Sequence, residues 1–272
     1  MTERAIRIGI QLNPQHADYA DIRRAVVEAE ELGVDLVFNW DHFFPLSGDK
    51  DGKHFECWTM LGAWAEATSR VELGALVTAN SYRNPDLVAD MARTVDHISG
   101  GRLVLGMGAG FKEREYVEYG YDFGTPGSRL AELADAMPRI GRRLARLNPA
   151  PTRKIPMILG GGGEKKTLRI VARHADIWNT FAEGETFVRK SRILDEHCAA
   201  IGRDPAEIER SVLVGGDPMD SGEALRAAGV TLFILGADGP AYDLTELRQW
   251  LKWRDAHNRV SQNDKRNVGG PV

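Results

Sequence analysis

Cysteine is nearly missing from this chain: Cys57 and Cys198 are the two among its 272 residues. That excludes a disulfide framework and a multi-cysteine zinc site, and it fits a reducing cytoplasm. Long apolar runs are missing too. The residues from Met1 to Ile10 carry no extended apolar core behind their charges, and no later stretch approaches the ~18 apolar residues that a membrane span needs. A soluble, unexported protein is expected. Nor is there an excess of positive charge, since 35 Lys and Arg stand against 39 Asp and Glu for a formal net charge of −4. Nucleic acid and anionic membranes select basic surfaces, so neither is an expected partner. His16, His54, His97, His174, His197 and His257 show no metal-ligand spacing such as His-Glu-x-x-His, and no metal is expected. A small-molecule partner remains.

What is present is alternation. Short β-branched or apolar runs are separated by longer amphipathic stretches, the rhythm of a parallel sheet covered by helices. The pattern predicts strands over 7–13, 35–41, 71–78, 103–108, 155–160, 175–180, 211–215 and 231–236. It predicts helices over 19–32, 57–68, 85–98, 129–147, 164–174, 185–201, 221–228 and 244–257. Gly33 and Gly202 supply left-handed exits, and Pro85 opens the third helix. Eight such pairs in a chain near the usual ~250 residues predict a single-domain α/β fold, a (β/α)₈ barrel over residues 1–258. An open doubly wound sheet shares the same local pattern. Residues 259–272 are predicted to be a mobile tail. The longer connections, 43–56 and 109–128, both leave strand C-terminal ends, where barrel active sites form.

Four segments can carry chemistry. Asn39-Trp40-Asp41-His42-Phe43-Phe44 ends the second strand in an acid and an imidazole. His42 can pass a proton near neutrality, and Asp41 is its candidate catalytic companion or a cap on the strand. Gly106-Met107-Gly108-Ala109-Gly110-Phe111 is no dinucleotide fingerprint. Its alternate glycines either let a flat ring approach the backbone or relieve a crowded barrel interior. Gly160-Gly161-Gly162-Gly163-Glu164-Lys165-Lys166-Thr167 puts bare backbone amides before a helix, an arrangement suited to a phosphate. The third strand, Val71 to Asn80, ends in polar Thr78 and Asn80. By contrast, Trp58, Trp64, Trp250 and Trp253 read as core anchors, and Arg142, Arg143 and Arg146 as a solvated helix face.

Taken in series, these segments resemble the bacterial luciferase-like family, in particular its branch that uses the deazaflavin coenzyme F-420. Asp41-His42-Phe43, the third strand Leu73-Gly74-Ala75-Leu76-Val77-Thr78, Arg83-Asn84-Pro85, the run from Gly100 to Gly110, the four-glycine turn and Ala175-Asp176-Ile177-Trp178-Asn179 carry the resemblance, over most of residues 5–255. It implies a barrel oxidoreductase that exchanges a hydride between F-420 and a small organic substrate, with FMN-dependent monooxygenation beside a separate reductase as the alternative. A flavin-binding barrel without catalysis is the third reading. It further implies that Ala75, Leu76, Thr78, Gly108, Ala109 and Gly110 meet the ring and Gly160, Gly161, Gly162 and Gly163 the phosphate. A non-prolyl cis peptide matches the Ala75–Leu76 bond, His42 matches a histidine beside the ring, and a homodimer forms through the second and third helices. Lys165 and Lys166 favour the polyanionic F-420. Where sugar-phosphate dehydrogenases of the family carry a glutamate, this chain has Phe111, which argues against that activity. Glu113 and Glu115 follow, with nothing in the sequence to orient them.

Overall fold

The computed structural model describes residues 4–181 and 184–267, with the backbone alone for 260–267. β1 (Arg7–Asn13), α1 (Tyr19–Leu32), β2 (Leu36–Asn39) and α2 (Cys57–Ala67) lead into a third strand in two pieces, β3 (Glu72–Ala75) and β4 (Thr78–Ala79). Then come α3 (Pro85–Ile98), β5 (Leu103–Gly108), α4 (Glu113–Tyr119), α5 (Pro126–Leu144), β6 (Met157–Gly160), α6 (Thr167–His174) and β7 (Ile177–Thr180). The chain ends with α7 (Gly184–Ala199), β8 (Glu209–Val214), α8 (Pro218–Ala227), β9 (Val230–Asp238) and α9 (Thr245–Asn267). The parallel ladder runs β3-β2-β1-β9-β8-β7-β6-β5-β4, and β3 pairs again with β5. The sheet is therefore a closed eight-position barrel with the helices outside it.

Period-two alternation sorts the strand residues into two cores. Leu36 and Phe38 of β2, Val104 of β5, Ile158 of β6, Ile177 of β7, and Leu232 and Ile234 of β9 fill the barrel interior. The intervening residues pack outward against the helices, including Ile8, Ile10 and Leu12 of β1. Each such side chain contributes ~1.5–3 kcal/mol on burial. At the strand N-termini Arg7 pairs with both Glu72 and Glu209, a charged floor on the barrel's stability face. Among the described residues no helix is long and apolar enough to cross a membrane.

Several boundaries differ from the sequence pattern, the following three among them. The 109–128 connection, read as irregular, contains α4, a single short helix closed by left-handed Gly120. α5 starts at Pro126 because Thr125 and Ser128 cap it reciprocally, each side chain accepting from the other's backbone N–H. α9 continues past Arg259, the expected start of the tail, to Asn267. No Gly or Pro interrupts the sequence between those positions. Residues 268–272 of the expected tail lie outside the described residues.

Candidate active site

The C-terminal ends of the strands enclose a cavity of about 500 Å³. Leu76, Gly108, Ala109, Gly110, Gly160 and Gly161 line it together with His42. With Asp41, the cavity brings together eight of the twelve residues singled out from the sequence. Ala75, Thr78, Gly162 and Gly163 stand outside the lining; Thr78 is buried with its hydroxyl unpartnered.

The break in the third strand shapes the cavity floor. Ala75 still pairs with Asn39, and the Leu76 N–H donates to the Asn39 carbonyl at 2.8 Å. The chain leaves the ladder only beyond that amide. The cis peptide is accordingly Leu76–Val77, not the expected Ala75–Leu76. The Leu76 carbonyl accepts from Gln11 Nε2 at 2.8 Å.

The glycines of β5 answer to their neighbours. A Cβ on Gly106 would lie 1.8 Å from the Ala75 carbonyl oxygen, one on Gly108 2.5 Å from Val77 Cγ2, and one on Gly110 2.0 Å from Tyr116 Oη. Crowding by the broken strand therefore accounts for Gly106. Gly108 and Gly110 also present bare backbone to the cavity.

His42 sits just past β2 with Trp40 and Phe111 packed edge-on against its ring, at centroid distances of 5.8 and 5.5 Å. Its Nδ1 is 2.9 Å from Glu115 Oε2. Glu115 comes from the first turn of α4 and is fully buried. Its Oε1 accepts from the Phe43 N–H at 2.7 Å, and its Oε2 also accepts from Tyr82 Oη at 2.6 Å. Burial works to raise the Glu115 pKa, but the bond and charge of His42 and the donors Tyr82 and Phe43 outweigh it and hold it below the ordinary carboxylate value. Burial and the bond to Glu115 push the Tyr82 phenol far above its ordinary value, so it stays a donor.

Asp41, expected as a catalytic companion of His42, lines the cavity but is engaged elsewhere. Its carboxylate accepts from both terminal nitrogens of Arg83, at 2.6 and 3.0 Å, and from the Ala79 N–H at 2.9 Å. Burial opposes the Arg83 charge, yet Asp41 and Glu56 more than offset it and raise the guanidinium pKa. Successive residues at a strand end point to opposite sides. Asp41 therefore turns into the β4 junction and holds Arg83, making no bond to His42.

Trp40 Nε1 donates to His54 Nε2 at 2.9 Å, which requires a neutral His54 ring. Burial, then the neighbouring charges of His42 and His16, bring its pKa down to about 4 against the opposing pull of Glu115. Native His54 thus refuses a proton that the unfolded chain binds below about 6.5. Its contribution is intact above that pH and is lost as pH falls towards about 4, amounting to about 2–3 kcal/mol. Urea unfolding between pH 7 and 4.5 should show that slope in the wild type and a flatter one in His54→Gln; equal slopes would remove His54 as its cause.

The four-glycine turn is anchored from β7. Gly161 N–H donates to the Asn179 carbonyl at 3.0 Å, and Trp178 Nε1 donates to the Gly161 carbonyl at 2.7 Å. A Cβ on Gly162 would meet Lys190 Nζ at 2.7 Å and Thr180 Oγ1 at 3.1 Å, and one on Gly163 would meet Thr167 Oγ1 at 2.7 Å. An ammonium and two hydroxyls thus border bare backbone, a cradle that fits a phosphate. Lys190, not Lys165 or Lys166, is the lysine against Gly162: Lys166 lies near Gly127, and both expected lysines are solvent-exposed.

Lys190, Gln11 and Asn13 escaped sequence reasoning, and Glu115 stood there as one of two acids without an orientation. Gln11 and Asn13 carried a signal, being polar at alternate positions in an otherwise apolar strand end. Glu115 and Lys190 carried none, since each is an ordinary charged residue on a helix.

A family profile described as luciferase-like monooxygenase matches residues 5–228. A phthiodiolone/phenolphthiodiolone dimycocerosates ketoreductase of Mycobacterium bovis is 29% identical over 245 residues, 81% of this chain and 61% of that protein. The chain thus spans about three-fifths of the curated relatives it matches, an uncharacterised Mycobacterium tuberculosis protein (28% identical over 173 residues, 58% of this chain, 61% of that one) included. An F-420-dependent secondary alcohol dehydrogenase solved with an F-420–acetone adduct superposes with a TM-score of 0.78 at 19% identity, covering 92% of this chain and 98% of that one. A monooxygenase from Streptomyces bottropensis superposes with a TM-score of 0.70 at 16% identity, covering 92% and 98%.

Proposed function

The chain belongs to the luciferase-like monooxygenase family, and on that footing we propose that it is a coenzyme F-420-dependent oxidoreductase interconverting a small ketone and its secondary alcohol. The observation that carries this reading is one cavity joining His42 to the anchored Gly160–Gly161 turn. Two relatives support the substrate chemistry by their names, one a ketoreductase and one a secondary alcohol dehydrogenase.

The residues divide the work. Gly160 to Gly163, with Lys190, Thr180 and Thr167, would hold the phosphate. Bare backbone at Gly108 and Gly110 beside Leu76 and Val77 offers a flat, apolar surface for the ring. When bound, the deazaflavin supplies two-electron hydride chemistry. His42 would move a proton at Nε2, the ring nitrogen that Glu115 does not engage, in a side chain that lines the cavity. Trp40 and Phe111 pack on the imidazole and limit water around it.

The second reading, FMN-dependent monooxygenation, has the fold likeness to the Streptomyces bottropensis monooxygenase behind it. Titrating the protein with F-420 and with FMN separates the two. We expect F-420 to bind at least about tenfold more tightly, a difference of about 1.4 kcal/mol. Tighter binding of FMN would overturn the proposal in favour of the second reading.

A further inference from the structure

We infer that Glu115 is a positioning residue that, when the His42 ring is neutral, fixes its proton on Nδ1 and so reserves Nε2 for the substrate oxygen. The inference rests on the reaction proposed above. The carboxylate reaches the histidine from α4, one turn beyond Phe111.

The argument is one of donors and acceptors. The Phe43 N–H holds Glu115 Oε1, which turns Oε2 towards His42 Nδ1 and Tyr82 Oη. An ionised carboxylate only accepts, and a phenol that stays protonated donates to it, so Nδ1 must carry a hydrogen to complete the set. Neutral imidazole has a single ring hydrogen. Nε2 is then the lone-pair nitrogen, in a side chain that lines the cavity. In alcohol oxidation Nε2 would take the hydroxyl proton as the C–O bond becomes a carbonyl; a bound oxidised deazaflavin would supply the acceptor for the carbon's hydride.

The surroundings hold α4 where this requires it. Tyr82, Tyr116 and Phe123 pack edge to face, with centroids 5.1 and 4.9 Å apart. Arg129 lies 4.1 Å over Phe123 and donates to the Phe123 and Gly110 carbonyls at 2.7 and 3.2 Å. α4 comes so close to the end of β5 that only glycine fits at 110. The last glycine of the Gly-x-Gly-x-Gly run thus serves the seat of Glu115 as well as the cavity wall.

The test uses full-length protein with ¹⁵N-labelled histidine, with and without F-420, above neutral pH. Long-range ¹H–¹⁵N correlations report which ring nitrogen of His42 is protonated. The wild type should show the proton on Nδ1. Glu115→Gln keeps the shape, but with its oxygen held by Phe43 N–H it turns an amide donor towards Nδ1, so the proton should move to Nε2. Alcohol oxidation should then lose about 10²-fold or more in kcat, with KM changed less than about threefold. Tyr82→Phe removes a packing neighbour's hydroxyl and keeps the carboxylate, so the proton should remain on Nδ1. Retention on Nδ1 in Glu115→Gln, or its loss in Tyr82→Phe, would overturn the inference. The tautomer is read without turnover, so a wild type with Nδ1–H that oxidises no alcohol would refute the reaction while upholding the role of Glu115.

Discussion

Replacing His42 with alanine is expected to lower kcat by about 10²–10⁴-fold, the usual worth of a positioned acid or base, while F-420 affinity changes less than about threefold. The asymmetry follows from the cavity lining. Of its groups that can exchange a proton, Asp41 is committed to Arg83 and Ala79, and the Tyr82 hydroxyl is committed to Glu115. Gln11, Asn13 and Asn179 are amides, which do not titrate. Among the described lining residues His42 is left as the proton carrier. It is also remote in sequence from the glycine turn that would hold the phosphate. The alanine variant leaves Glu115 without one of its donors, a loss of about 1–3 kcal/mol in a buried carboxylate. His42→Gln can still donate to Glu115, so it should reproduce the loss in kcat with less loss of stability. Steady-state rates, cofactor titration and thermal unfolding on the two variants check all three statements; near wild-type kcat in both would remove His42 from the chemistry.

Alternation makes an eight-unit α/β fold legible in the sequence, the family resemblance favours a closed barrel over an open sheet, and strand ends and glycine spacing point to the position of the site. Period two tells which residues face inward, and strand ends tell where function gathers. What stays hidden lies where neighbours outside the segment decide. The third strand reads as one run from Val71 to Thr78, but its division depends on how far the ladder with β2 persists, and the cis bond moves one residue with it. Asp41 reads as a partner of His42 because they are adjacent in sequence, yet a strand end sends adjacent side chains apart and Arg83, 42 residues on, claims the carboxylate. Phe111 leaves one position without an acid. The carboxylate that does reach His42, on Glu115, needs α4, a helix too short to announce itself by periodicity. The spacing of the β5 glycines leaves ring approach and crowding both open; crowding accounts for Gly106, while Gly108 and Gly110 also line the cavity.

Gly162→Asp should weaken F-420 binding by about 10²-fold or more. The glycine's Cβ direction points at Lys190 Nζ, 2.7 Å away, with Thr180 Oγ1 at 3.1 Å. An aspartate there would place its own carboxylate against the cation that the phosphate is proposed to use. The ligand then loses that attraction and meets a like charge; a combined change of about 3 kcal/mol corresponds to roughly two orders of magnitude in affinity. Sterics and charge can be separated. Gly162 does not have a left-handed backbone, and the crowding atom is the far end of a flexible side chain. Gly162→Ala should therefore bind F-420 within about fivefold of wild type, because the lysine can swing aside. Lys190→Met removes the charge and keeps the stem, and should cost about tenfold, more at low salt than at high. If Asp and Ala at 162 behave alike, the turn restricts backbone shape without recognising an anion. If Asp alone abolishes binding and added salt fails to restore it, the carboxylate occupies the seat itself, with Lys190 as its counter-ion.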